Sequence, residues 1–163
     1  MSTSELMQRR GAMMQSRSGG TDWELFATQL IDGTLGGDVT LPIGISKIRG
    51  YALVNMTGIT SLTIPDGATK IEGSSCSGCT GLVYVVIPST ITSIYGYAFN
   101  GCTSLQYVEI LATAPPSLTS SAFNNANNCT FYVPDASVNT YKTTSGWDTY
   151  ASRIKGISER PTT

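Results

Sequence analysis

The sequence predicts a mainly β repeat solenoid, a stack of 23-residue turns that carry parallel strands, and three observations support this. Consecutive rows of 23 residues align without gaps across 34–102, and a fourth row begins before the pattern loosens. Within each row apolar residues alternate with polar ones, as Leu62 and Ile64 do, which is the period of a strand with one buried face. A proline and then a glycine recur at fixed places in each of these rows.

Each column of the repeat has a physical interpretation. Strands are predicted near 38–41, 61–64, 84–87, 107–110 and 130–133. Proline ends the first three strands because it cannot donate a ladder hydrogen bond. A third apolar column then points back into the core, and short helical or irregular backbone returns the chain to the next strand; the column is Ile48, Ile71 and Ile94. One turn cannot bury its apolar side alone, so the turns must stack.

The C-terminal end reads as a cover for the last turn. Pro134 stops the fifth strand and Asp135 is a plausible helix N-cap. Val138 and Tyr141 share one helical face. A second apolar face at helical spacing is formed by Trp147, Tyr150 and Ile154. Residues 134–163 are therefore predicted to be a helical cap and tail.

The N-terminal side divides into a cap, residues 21–37, and an arm with a hinge, residues 1–20, which leaves 38–133 for the solenoid. In the cap, Trp23, Phe26 and Leu30 fit a helix, whereas the pair Asp32 and Gly33 signals a hairpin, which we favour.

In the arm, Ser2 and Glu5 fit a capping box, and four apolar residues recur on one face of a short helix: Leu6, Met7, Met13 and Met14. A lone helix of this length is marginal in water, so these residues are predicted to anchor the protein to a larger assembly or to make it a homo-oligomer. The alternative is a frayed tail.

The repeat resembles a known family. The strings SLTIPDGATKIEG and VVIPSTITSIYGYAFNGCTSL are similar to BspA-like leucine-rich repeats, also called the Treponema type. The row 57–79 departs from the family pattern at Ser75 and Cys76, where Ala-Phe is expected. The resemblance covers about 38–155. It implies a right-handed leucine-rich-repeat solenoid with a parallel β-sheet on its concave side, and an adhesive surface protein of gut or oral bacteria or of their phages.

Composition argues against several classes of function. Only 13% of residues are charged and the net charge is −1, so the basic stripe that nucleic acid requires is lacking. The sequence contains no run of 18 apolar residues, so we expect no membrane insertion. Without histidine, phosphate loops or paired carboxylates, we expect no enzyme and no cofactor. The four cysteines suit buried free thiols better than a metal site, although a bridge between Cys79 and Cys102 is conceivable.

The solvent side of the strands is the predicted ligand-binding site. Strand alternation places three tyrosines there with one carboxylate and two hydroxyl residues: Tyr84, Tyr107, Tyr132, Glu109, Ser61 and Thr63. Tyrosine buries much area at low entropy cost, so the expected partner is a glycan or protein of a host surface. The alternative is that these tyrosines only serve β propensity.

The sequence favours a non-enzymatic display module. Arg9 and Arg10 are not followed by the apolar stretch of a secretory signal. A phage virion structural, decoration or fibre protein leaves the cell by lysis and needs no such signal, so a virion or extracellular surface location is expected. The alternatives are a secreted or surface-attached bacterial adhesin and an intracellular protein-interaction module in the cytoplasm.

Overall fold

A computed structural model of the protein describes Leu30 and residues 32–119 and 121–162. In chain order the strands of this part are β1 Gly37–Thr40, β2 Lys47–Ile48, β3 Ile59–Thr63, β4 Lys70–Ile71, β5 Tyr84–Ile87, β6 Ser93–Ile94, β7 Tyr107–Ile110, β8 Ser117–Leu118, β9 Thr130–Val133 and β10 Ile154–Gly156. They form a six-stranded sheet, β1-β3-β5-β7-β9-β10, and a four-stranded sheet, β2-β4-β6-β8. Each pair of neighbouring strands is parallel, which confirms the repeat solenoid.

The six-stranded sheet follows the repeat register. The five predicted strands agree with β1, β3, β5, β7 and β9 to within two residues at each end. One column of inward residues pairs from strand to strand at a spacing of 23 and is buried throughout: Val39, Leu62, Val85, Val108 and Phe131. The spacing from β6 to β8 is 24 residues, but β9 again follows β7 at 23.

The four-stranded sheet was not predicted. Its inward residues are those of the third column, and their burial is confirmed for Ile48, Ile71 and Ile94. The returns were expected to be helical or irregular, but at this column they form two-residue strands. A parallel ladder satisfies the backbone groups that stacked turns bring together, so the second sheet is a consequence of the stacking itself. The apolar core lies between the two sheets.

Aromatic residues close the last turn. A 3-10 turn, Asp135–Ser137, leads into helix α1, Val138–Thr143, and a second 3-10 turn, Asp148–Arg153, precedes β10. Tyr141 and Trp147 are fully buried with rings 5.1 Å apart, and Trp147 also meets Phe131 edge to face. Their polar atoms are satisfied, since the Tyr141 hydroxyl donates to the Ala112 carbonyl at 2.8 Å and the Trp147 indole donates to the Pro116 carbonyl at 2.7 Å.

Gly146 permits this arrangement. It takes φ +90°, and a Cβ there would lie 2.5 Å from the carbonyl oxygen of Leu118. Only glycine combines that backbone with so close an approach to β8.

Three expectations for the ends are wrong. Ile154 does not continue a helical face but begins β10, which extends the six-stranded sheet beside β9. Asp135 makes no side-chain cap; its carboxylate accepts the backbone N–H of Ser158 at 3.1 Å. The favoured hairpin fails at the described residues, because Leu30 and Asp32 are helical and Gly33, with φ 81°, has the left-handed backbone common at helix ends.

Other predictions for the N-terminus lie outside the described residues. They concern the remainder of the cap and the anchoring residues Leu6, Met7, Met13 and Met14, and the predicted divisions at residues 20, 37 and 133 also stay predictions. The four cysteines are free and buried, in agreement with the preferred interpretation of them as small core residues. Within the described part of the chain, no helix is long and apolar enough to cross a membrane.

Candidate binding face

The side of the six-stranded sheet that points away from the core is the candidate site, and we call it the outer face. The structure brings five of the six predicted residues together there, all partly exposed: Ser61, Thr63, Tyr84, Tyr107 and Glu109. They come together because β3, β5 and β7 are adjacent and in register. Ser61 pairs with Tyr84, and Tyr84 pairs with Tyr107, so one aromatic position follows another across the strands.

Tyr132, the sixth residue, is not exposed as predicted. Its side chain lies beside Glu109 and its ring centroid is 5.9 Å from that of Tyr107, but only 3% of its surface reaches solvent. The chain after β10 covers it, because a third 3-10 turn, Ile157–Glu159, packs on β9. The open part of the outer face therefore ends at β7.

An arginine from this covering segment reaches the centre of the site. Arg160 forms an ion pair with Glu109, and the same nitrogen, Nη1, donates to the Tyr84 hydroxyl oxygen at 2.5 Å. The Tyr84 hydroxyl in turn donates to the Glu109 carboxylate at 2.6 Å. The guanidinium carbon lies 5.7 Å from the centroid of the Tyr84 ring, within the range of a cation–π contact. Carboxylate, hydroxyl and ring thus form one receptor for a cation.

The electrostatics of the tyrosines follow from this packing. Burial, together with the hydrogen bond to Glu109 and the charge of that carboxylate, raises the pKa of Tyr84 to about 12, although Arg160 opposes the rise. Burial also raises the pKa of Tyr132, with smaller contributions from Tyr107 and Glu159. The Tyr84 hydroxyl therefore keeps its proton at neutral pH and remains a donor to Glu109.

The covering segment, residues 157–160, is called the strap. Hydrogen bonds from backbone N–H groups to side-chain carboxylates hold it in place. Besides the bond from Ser158 to Asp135, the Gly156 N–H donates to the Glu159 carboxylate at 3.0 Å. A Cβ on Gly156 would lie 2.2 Å from Asp135 Oδ1, so a larger residue there would displace the carboxylate that holds Ser158. These anchors do not involve the side chain of Arg160.

Sequence reasoning missed the strap and with it Arg160. The Gly156 to Glu159 spacing was the available signal, since a carboxylate three residues after a turn residue often binds back to its N–H. Nothing local indicates which face such a turn will cover, because that depends on where β10 places the chain.

The opposite end of the outer face is hydroxyl-rich and acidic. The Ser61 hydroxyl donates to the Asp38 carboxylate at 2.7 Å, and the Thr60 hydroxyl donates to the same oxygen at 3.2 Å. Asp38 is exposed at the edge strand β1. The face thus runs from a solvated carboxylate on β1, across two tyrosines, to the occupied carboxylate on β7.

Other reactive groups lie in the core, away from this face. Burial raises the pKa of the Cys76, Cys102 and Cys129 thiols, so each stays protonated and a poor nucleophile at neutral pH. The Cys102 thiol donates to the Cys76 carbonyl at 3.2 Å and the Cys79 thiol donates to the Leu53 carbonyl at 3.0 Å. The described residues contain no cluster of three side chains that could hold a metal ion. The groups on the outer face suit binding by stacking, hydrogen bonds and charge.

Comparison with known proteins agrees with the repeat. The family described as BspA type leucine rich repeat region matches residues 36–145 in six copies, which is more than half of the chain. No curated protein sequence is a significant match.

Two solved structures are similar to part of this chain. A leucine rich cell surface protein from Faecalibacterium prausnitzii A2-165 is 24% identical with a TM-score of 0.46, over 66% of this chain and 35% of that one. The pneumococcal vaccine antigen PcpA is 12% identical with a TM-score of 0.41, over 73% of this chain and 39% of that one. The chain spans less than two fifths of the length of either.

Proposed function

Because the chain belongs to the BspA-type leucine-rich-repeat family, we propose that it is a non-enzymatic binding module whose outer face attaches to a partner on a host surface. One observation carries this proposal. The two tyrosines Tyr84 and Tyr107 stand side by side on the face of the six-stranded sheet that points away from the core. Open sheet faces of repeat proteins are their usual binding surfaces.

The chemistry of the face limits the partner to a glycan or a protein. Ring faces beside the hydroxyls of Ser61 and Thr63 suit the apolar faces and hydroxyls of a sugar, and they suit a polypeptide equally. Few charges surround the site, so long-range steering would contribute little to association. Nucleic acid is excluded from the proposal because the exposed Asp38 would repel phosphates and Arg160 is already paired with Glu109.

The proposed setting is outside the cell, displayed on a virion or on a bacterial surface. A virion structural, decoration or fibre protein is the form that the sequence favours, and a surface-attached bacterial adhesin is the other. Immunogold labelling of purified phage particles and of intact bacteria separates them: label on the particles supports the virion form, and label confined to the cell wall contradicts it.

Binding by a double variant tests the face itself. Tyr84→Ala with Tyr107→Ala should reduce attachment of the fluorescently labelled protein to host cells at least about tenfold, because interface aromatics carry much of the binding energy. The matched control is Tyr95→Ala with Tyr97→Ala. It removes two tyrosines that are 42% and 51% exposed beside the four-stranded sheet.

Comparing the two variants distinguishes specific attachment through the outer face from nonspecific adhesion by exposed tyrosines. We expect the control to attach like the wild type and both variants to melt within a few degrees of it. Undiminished attachment by the Tyr84 and Tyr107 variant, or an equal loss in the control, would contradict the proposal. Treating the cells with a glycosidase or with a protease then distinguishes a glycan partner from a protein.

A further inference from the structure

The Glu109 carboxylate is the most constrained charge on the outer face. Its side chain is only 14% exposed, whereas that of Glu72, which pairs with Lys47, is 27% exposed. Taking a carboxylate this far out of water is costly unless a cation and hydrogen bonds replace the lost hydration. Tyr84 supplies one hydrogen bond and Arg160 supplies the cation.

The groups around the cation match the shape and hydrogen-bonding capacity of a guanidinium. One guanidinium nitrogen, Nη1, donates to both the Glu109 carboxylate and the Tyr84 hydroxyl, and the guanidinium carbon sits 5.7 Å from the Tyr84 ring centroid. A planar guanidinium can donate and stack at the same time, which the compact, strongly hydrated ammonium of lysine does less well. The site therefore selects the arginine side chain by shape as well as by charge.

Arg160 itself is a weak occupant. Its side chain is 41% exposed, and exposed ion pairs contribute little net stability because solvent screens them. The strap does not depend on it, since Asp135 holds Ser158 and Glu159 holds Gly156 through backbone N–H groups. Arg160 can leave Glu109 while the rest of the strap stays in place.

Building on the proposed function, we propose that Glu109 and Tyr84 form a receptor for an arginine of the partner polypeptide, and that Arg160 fills it until the partner arrives. The partner is then a protein with an exposed arginine next to a segment that can lie across the tyrosines. The strap acts as an internal competitor. It keeps the half-buried carboxylate neutralised in the free protein and lowers the apparent affinity by the fraction of time that Arg160 is bound.

A short peptide that carries the same arginine, without the strap residues that stay in place, tests this directly. The probe is a fluorescein-labelled, amidated peptide with the sequence RPTT, which copies residues 160–163. Fluorescence anisotropy should show that full-length Arg160→Gln binds it about fivefold more tightly than the wild type, because the internal competitor is gone. Adding Glu109→Gln to that variant should weaken binding by at least about tenfold, because the charge-assisted bond is lost.

Two controls make the result specific. The same peptide with citrulline in place of arginine keeps the shape but loses the charge, and should bind at least about tenfold more weakly. Glu72→Gln in the Arg160→Gln background removes a carboxylate that is ion-paired elsewhere, with Lys47, and should leave peptide binding unchanged. Near-ultraviolet circular dichroism of the buried Trp147 checks that each variant is folded.

Two outcomes would overturn the inference: equal affinities for wild type and Arg160→Gln, or equal binding of the arginine and citrulline peptides. Host-cell attachment by the Tyr84 and Tyr107 variant is a separate measurement. If attachment is lost in that variant while the peptide fails to bind, the outer face still recognises its partner but the arginine receptor is wrong. If the peptide binds and attachment is unaffected, the proposed function is wrong.

Discussion

The repeat body and the closing segment, residues 134–162, are stabilised in different ways. In the body the buried strand residues pair with their own equivalents in the next turn, as Ile87 pairs with Ile110, and hydrogen bonds link positions 22 to 26 residues apart. In the closing segment the contacts join unlike groups, such as the Trp147 indole and the Pro116 carbonyl. The contacts of the body can therefore be deduced from those of one turn. The contacts of the closing segment do not repeat, so one of them does not predict the next.

The closing segment also has two parts with unlike roles. Tyr141 and Trp147 are fully buried and seal the last turn, so they belong to the core. The strap lies on the outside and covers Tyr132 and Glu109 while its own side chains stay largely exposed. We therefore expect that the seal cannot open without unfolding the core and that the strap can.

The seal should give the largest effect on stability. Trp147→Ala removes a fully buried indole and its hydrogen bond, and should lower the free energy of unfolding by about 3–5 kcal/mol. Urea denaturation followed by circular dichroism measures this. The transition should remain single, because the seal is part of the same core. A second, separate transition would show that the seal is not part of the same core. A decrease in the free energy of unfolding of less than about 0.5 kcal/mol, as for a surface substitution, would show the same.

A cavity inside the body should have a somewhat smaller effect. Ile87→Ala should destabilise by roughly 2–5 kcal/mol, since Ile87 is fully buried between neighbouring turns. Ile87→Val is the matched variant and should cost only about 0.5–1.5 kcal/mol at the same place. Equal midpoints for Ile87→Ala and the wild type would show that stacked apolar columns do not carry the stability of the body.

The sequence predicted the body well because its signal is repeated. The five long strands and the buried columns were found, since period two within a row and period 23 between rows act together. The four-stranded sheet was missed because Lys47–Ile48 and its equivalents are too short to show alternation. A single apolar residue in each turn indicates burial but not backbone conformation.

The ends were predicted less well because their structure depends on distant contacts. Trp147, Tyr150 and Ile154 have helical spacing, yet Ile154 joins a strand because β9 offers an unpaired edge. Tyr132 follows the alternation of the outer face but is covered by residues more than twenty positions later. Strand alternation is a local signal that does not depend on distant contacts. The prediction of the site used only this signal, and five of its six residues are at the surface.

The Tyr84 site should have a smaller effect on stability than the core substitutions, and this effect should appear at alkaline pH. The pKa of Tyr84 is about 12 in the fold, against about 10 for an unperturbed tyrosine, so the folded state holds this proton more tightly. Its contribution is complete below pH 10 and is lost as pH rises toward 12. Tyr84→Phe should therefore lose less stability than the wild type between pH 9 and pH 11. Parallel losses in urea denaturation at the two pH values would contradict this.

Hydrogen exchange tests the separation of seal and strap most directly. The amides of β9, Phe131–Val133 among them, lie between β7 and β10 and should exchange only when the whole protein unfolds. The Ser158 N–H is held by one exposed carboxylate and should exchange at least about a hundredfold faster, through local opening of the strap. Both rates can be read by two-dimensional NMR on the wild type at neutral pH. If Ser158 exchanges as slowly as the β9 amides, the strap is part of the core and the account is wrong.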